Sequence, residues 1–146
     1  MAKVADVLRE KGAKVLTTDP SRTVYDAIEK MSAQNVGALV VVEGGEVCGI
    51  ITERDYLRQI ALKGRSSRTT PVRDIMTTEV TCVDPTAAVD ECLALMSERH
   101  FRHLPVLEKG RLIGIVSVGD LIKQIVREQS IHIEHLTAYI AGKYPR

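Results

Sequence analysis

Two seven-residue stretches carry the chemistry-bearing groups of this chain: Gly49-Ile50-Ile51-Thr52-Glu53-Arg54-Asp55 and Gly114-Ile115-Val116-Ser117-Val118-Gly119-Asp120. Each holds a hydroxyl three residues before a carboxylate. An ionised aspartate is acceptor-only and can take two adjacent hydroxyls, such as those of a ribose. A Thr or Ser hydroxyl at a helix start, beside backbone N–H groups that no carbonyl has claimed, suits a phosphate. The aspartate alone would repel that phosphate, so a base is needed at the other end. Arg54, Arg102 and His103 are the candidates. Arginine serves best, because its planar fork takes two phosphate oxygens and stays charged. His103 helps only when protonated. A plainer reading stands beside this one. A hydroxyl followed three residues on by a carboxylate is also a helix capping box, although Glu or Gln is the usual partner. Arg102 and His103 would likewise suit a solvated helix end, where cations meet the C-terminal dipole.

The two stretches belong to an internal duplication. At an offset of 65 residues, Asp19-Pro20 falls on Asp84-Pro85, Val24 on Val89, Met31-Ser32 on Met96-Ser97 and Asp55 on Asp120. A unit used twice buries against its copy the apolar face it cannot cover alone. In the first copy, Val15–Thr18 reads as a strand. Thr23 caps a helix whose Val24, Ala27, Ile28 and Met31 share one face. Ala38–Val42 and Val47–Ile51 form a hairpin through Gly44-Gly45. Thr52 opens a second helix with Tyr56, Leu57, Ile60 and Ala61 on its apolar side. The second copy repeats this with a strand at Val80–Val83, a helix bearing Val89, Cys92, Leu93 and Met96, a hairpin at Leu104–Leu107 and Leu112–Val116, and a helix from Ser117 through Ile125. A lead-in also repeats, at an offset of 68: a short helix at Val4–Lys11 corresponds to the segment beginning at Val72. The expected organisation is residues 1–63, a polar linker at 64–71, residues 72–128, and a helical tail at 129–146 bearing Ile133, Leu136 and Ile140.

Bulk properties bound the function. A chain of 146 residues fits one folding unit. A net charge of +1, a single Phe and no Trp argue against nucleic acid or an anionic membrane as partner. No apolar run approaches the roughly 20 residues of a membrane span. The charged N-terminus lacks an apolar signal core. Cys48, Cys82 and Cys92 make no C-x-x-C and read as small hydrophobes in a reducing compartment, so the expected location is the cytoplasm. His132-x-x-His135 and His100-x-x-His103 fall short of a metal site; phosphate contact or helix termination accounts better for the second pair. Neither a nucleophile elbow nor a phosphate-cradling loop is present, and no catalytic set emerges.

Several of these motifs, in registered order, resemble a known family. The paired Gly-Ile-[Ile/Val]-[Thr/Ser]-x-x-Asp, the Asp-Pro before each first helix, Asp74-Ile75-Met76-Thr77 and Arg102-His103-Leu104-Pro105-Val106 together look like a tandem cystathionine-β-synthase (CBS) domain pair, covering about Val4 to Arg127. The resemblance implies an α/β fold of the α+β type: two β-α-β-β-α motifs packed with pseudo-two-fold symmetry, plus short N- and C-terminal helices. It implies an adenosine-containing ligand such as AMP, ADP, ATP, NAD or S-adenosylmethionine, and no metal. Asp55 and Asp120 would hold ribose, and Thr52 and Ser117 ribose or phosphate. Thr77 would line the site, Arg102 and His103 would meet phosphate, and adenine would lie near Val15, Ala38, Val80 and Leu104.

The two copies are unequal. Gly37-Ala38 stands opposite Arg102-His103, Arg54 opposite Gly119, and Val7-Leu8-Arg9 opposite Ile75-Met76-Thr77. How residues cross between copies is open at the level of sequence. The expected function is a non-catalytic nucleotide sensor that signals to a protein effector in trans. A homodimer formed through helix faces or the apolar tail is expected with it; the tail's other reading is packing on its own core. The alternative function is a ligand-free dimerisation or interaction scaffold in which the hydroxyl–carboxylate pairs are only caps.

Overall fold

The computed structural model describes residues 1–12 and 14–129. The expected tail helix with Ile133, Leu136 and Ile140, and the pair His132 and His135, lie outside the described residues. The fold is mixed α+β, with helices α1 (Val4–Lys11), α2 (Val24–Gln34), α3 (Glu53–Tyr56), α4 (Val89–Arg99) and α5 (Val118–Glu128). The strands are β1 (Thr17–Thr18), β2 (Ala38–Glu43), β3 (Glu46–Thr52), β4 (His103–Glu108) and β5 (Arg111–Ser117). They form a three-stranded sheet ordered β1-β2-β3 and a hairpin of β4 and β5.

The chain divides into two compact units. One contains β1, α2, β2, β3 and α3, continues to Val83, and includes residues 104–115 of the second hairpin. β2 is its central strand, parallel to β1 and antiparallel to β3. A central strand covered on both faces should be apolar throughout, and Ala38, Leu39, Val40 and Val41 are all buried. Leu39 and Val41 belong to a core with Val24, Ala27, Met31, Ile51, Ile60, Val72 and Ile75. The turn between β2 and β3 needs positive φ at both positions, and Gly44 and Gly45 supply it at 61° and 81°.

The other unit gathers α1, α4 and α5, with α1 and α4 both packed on α5. Its buried side chains include Val4, Val7, Leu8, Val89, Cys92, Met96 and Leu121. Helices α2 and α4 end alike. Asn35 and His100 occupy matching left-handed C-cap positions at φ 54° and 60°, a conformation that Asn and His tolerate better than most residues. His100 is thus a helix terminator.

The lead-ins are exchanged between the copies. In the helical unit, Val4 N–H donates to the Ala87 carbonyl, Ala5 to Pro85, and Val89 to Ala2. In the sheet-bearing unit, Val72 donates to Arg22, Arg73 to Pro20, and Val24 to Thr70. These are the same three bonds under the offsets of 65 and 68 read from the sequence. The lead-in of the first copy therefore folds with the helices of the second, and residues 70–77 fold with the first. The polar linker is ordered as well: Ser67 and Thr70 carbonyls accept the first two N–H groups of α2.

Two expected elements differ. Val80–Val83 is not a strand; only Val83 pairs, in a parallel bridge to Val106. In the first copy Val40 N–H donates to the Leu16 carbonyl. Pro105 stands where Val40 does and has no N–H, so the bond that would extend the ladder to Thr81 cannot form. The helix after Thr52 also departs from expectation. It is α-helical only through Tyr56 and continues as a π turn over Leu57–Ala61. The wider turn directs Ile60 into the core and leaves Ala61 and Leu57 exposed, Leu57 at 56%.

Candidate functional site

Both hydroxyl–carboxylate pairs sit at strand-to-helix junctions, and both are complete capping boxes. At the first, the Thr52 hydroxyl accepts the Asp55 N–H at 3.2 Å, while Asp55 Oδ2 accepts the Thr52 N–H at 2.9 Å and the Thr52 hydroxyl lies 3.1 Å from it. The capping reading of the sequence is therefore real local structure. It occupies one carboxylate oxygen. The other, Oδ1, faces the Thr77 hydroxyl at 3.4 Å.

Thr77 reaches Asp55 because residues 76–77 run beside β3. Ile50 and Thr77 exchange reciprocal backbone bonds of 3.0 and 2.9 Å. The approach requires Gly49, where a Cβ would meet Met76 Sδ at 2.7 Å and the Thr77 carbonyl at 3.0 Å. Ala38 lies directly opposite Thr52 in the ladder. Thr52, Asp55, Thr77 and Ala38 are thus brought together in one unit, with Arg54 exposed on α3. Asp55 meets hydroxyl and amide partners here.

The second junction is built differently. Asp120 Oδ2 accepts the Ser117 N–H at 2.9 Å, and the Ser117 hydroxyl accepts the Asp120 N–H at 3.1 Å. The same Oδ2 also takes the Lys11 ammonium at 2.6 Å. Neither of the bonds to Oδ2 uses Oδ1. Arg102 is anchored nearby, its carbonyl accepting the Val118 N–H at the start of α5. His103 feels Lys11, Arg102 and Asp120 electrostatically, so Lys11, Arg102, His103 and Asp120 form one charged cluster. Burial works against ionisation of Asp120, but the Lys11 ammonium and the Ser117 groups outweigh it and hold the carboxyl below its usual range.

Lys11 was not among the candidates from sequence. Its position at the end of a lead-in, 109 residues from Asp120, has no local signature; only the exchange of lead-ins brings it there. The three remaining candidates are apolar. Leu104 is fully buried in β4. Val15 and Val80 are partly buried in irregular backbone.

His103 is partly buried. Burial lowers its pKa first, Lys11 and Arg102 lower it further, and Asp120 opposes them. The unfolded imidazole titrates near 6.5. Below that pH the unfolded chain takes up the proton more readily than the folded one, so acidification removes stability until the folded-state value is passed. Between about pH 7 and pH 5, His103→Gln is expected to lose less stability than the parent protein. Urea melts across that range measure it, and parallel losses in the two proteins would contradict the assignment.

Among the described residues no group of His, Cys, Asp or Glu is arranged to hold a metal ion. Burial raises all three cysteine thiols, so none is tuned as a thiolate. Cys92 is buried as expected, whereas Cys48 and Cys82 are only partly so. No helix among the described residues is long and apolar enough to cross a membrane.

The family model of the CBS domain matches residues 4–62 and 72–127. The chain belongs to the CBS-domain family. The CBS domain-containing protein CBSX3, mitochondrial, of Arabidopsis thaliana is 45% identical over 152 residues, spanning 97% of this chain and 73% of that protein. Among solved structures, a putative signal-transduction protein with CBS domains from Burkholderia ambifaria MC40-6 superposes with a TM-score of 0.85 at 45% identity, covering 90% of this chain and 99% of that one. The CBS domain pair of protein MJ0100, in complex with 5′-methylthioadenosine and S-adenosyl-L-methionine, shares the fold at a TM-score of 0.77 and 23% identity, over 88% of this chain and 98% of that one. As a CBS pair, the chain is a regulatory type of module.

Proposed function

We propose that this CBS pair is a non-catalytic sensor that binds an adenosine-containing nucleotide at the Asp55 and Asp120 junctions and signals occupancy to a protein effector in trans. The observation that carries the reading is the cluster at Asp120: a capping carboxylate with its Oδ1 outside the capping bonds, and three basic side chains around it. A cap alone has no use for those bases, whereas a ribose phosphate needs both the carboxylate and the cations. The MJ0100 pair holds adenosine compounds in the same fold. Exposed Leu57 and Leu62 in one unit and Ile122 in the other suit self-association, and a homodimer is part of the proposed reading, to be checked by light scattering.

The test is a thermal-shift panel of AMP, ADP, ATP, NAD, NADH and S-adenosylmethionine, with guanosine nucleotides as controls. A ligand at 100 times its Kd stabilises the fold by about 2.7 kcal/mol, a rise of several degrees. The expected result is an adenosine-specific response that Asp55→Ala or Asp120→Ala reduces and that Asp→Glu at the same position does not restore. Glutamate completes a capping box but extends too far for the ribose. Full recovery of the response with glutamate, or a flat panel, would favour the ligand-free scaffold instead.

A further inference from the structure

The exchange of lead-ins gives the two junctions different partners: hydroxyls at Asp55, an ammonium at Asp120. We propose that Lys11 is a specificity-determining residue, an internal counter-ion on Asp120 that admits phosphate-bearing adenosine ligands to that junction and turns away their uncharged nucleosides. The inference rests on the nucleotide reading above and goes beyond it by giving the two sites different ligand classes.

The argument is one of exchange. Lys11 Nζ lies 2.6 Å from Asp120 Oδ2, with Lys11 33% and Asp120 25% exposed at the side chain. A ribose that engages the carboxylate competes with this ammonium. Ribose hydroxyls also bond well to an ionised carboxylate, but a nucleoside offering only hydroxyls breaks the ion pair and leaves the Lys11 ammonium without its anionic partner. A nucleotide brings an anion with it. Its phosphate takes over the ammonium as the ribose takes over the carboxylate, and each charged group keeps a charged or polar partner. Arg102 and His103 act in the same direction. With His103 neutral, Lys11 and Arg102 leave the cluster one positive charge beyond Asp120, and a phosphate in contact favours protonation of His103. Burial is the main cause that lowers the His103 pKa; Lys11 and Arg102 lower it further and Asp120 opposes them. Asp55 instead meets the hydroxyls of Thr52 and Thr77, which a ribose replaces in kind, so its junction accepts nucleoside and nucleotide more evenly.

Isothermal titration of the full chain carrying Asp55→Ala reads the Asp120 junction by itself, with AMP and adenosine as probes. AMP is expected to bind at least about 10-fold more tightly than adenosine, the equivalent of one charge-assisted bond. Adding Lys11→Met should weaken AMP and leave adenosine equal or tighter, so that the ratio falls about 10-fold, while Lys11→Arg keeps it. Circular dichroism verifies that each variant is folded. Should Lys11→Met fail to fold, the AMP-to-adenosine ratio of the Asp55→Ala protein and its retention in Lys11→Arg still decide the matter. Binding of both probes with an unchanged ratio overturns the role of Lys11 and leaves the nucleotide reading intact. Absence of binding by both probes in the parent protein as well overturns this inference, while the nucleotide reading is overturned only if the wider thermal-shift panel is flat too.

Discussion

Leu39→Ala is expected to remove about 3–4 kcal/mol of folding stability, near the middle of the range for buried leucines. Leu39 is fully buried and faces a cluster that includes Val24, Met31, Ile51 and Ile60. The cost of such a truncation depends on how far the surroundings can collapse into the space left. They have little freedom here, because β2 is bonded along both edges, to β1 and to β3. The cavity should therefore stay largely open. Against a typical total of about 5–15 kcal/mol, the loss is a large fraction of the whole. Urea denaturation measures it as a lower midpoint at unchanged slope. A loss below about 1 kcal/mol would mean that β2 is not the rigid centre of its unit. Because Ala38 and Thr52 face each other across this strand pair, a softened β2 should also weaken any ligand held at Asp55.

Gly49→Val is expected to cost about 2–4 kcal/mol, from overpacking and broken ladder bonds together. The Met76 sulfur, 2.7 Å from where a new Cβ would stand, belongs to a flexible side chain and can swing aside. The Thr77 carbonyl at 3.0 Å cannot, since reciprocal bonds to Ile50 hold it. Valine must push residues 76–77 off β3, and Thr77 then loses its reach to Asp55. Two readouts follow from one substitution: lower stability in urea, and weaker ligand response at the Asp55 junction when Asp120→Ala has silenced the other. Retention of both at parental levels would show that the approach of Thr77 to β3 is not required.

Much of the architecture was legible in the sequence because it rests on local signals. The hairpin between β2 and β3 follows from Gly44-Gly45, whose two positive φ values no β-branched residue would adopt comfortably. The caps at Thr23, Thr52 and Ser117 follow from a hydroxyl within reach of an N–H three residues on. Buried β2 follows from an uninterrupted apolar run. The misread elements trace to particular atoms. Pro105 lacks the N–H that would have carried pairing back to Thr81, a signal present in the sequence but meaningful only once its partner strand is known. The π turn after Tyr56 leaves Leu57 exposed although its spacing fits a buried face, because helix width is settled by what the following residues pack against.

The duplication, its two offsets and the pair of hydroxyl–carboxylate junctions were determined by the sequence alone, since each is a matter of residue type and spacing along the chain. Which side chains complete each junction was decided only by tertiary structure. The lead-ins show in the sequence as a change of offset from 65 to 68, but nothing in that change says which helices each lead-in joins. Three backbone bonds in each unit answer it: they carry Lys11 to Asp120 and Thr77 to Asp55. One junction thereby meets a cation and the other a hydroxyl, a difference of electrostatic partner that arises from contacts between residues far apart in the chain.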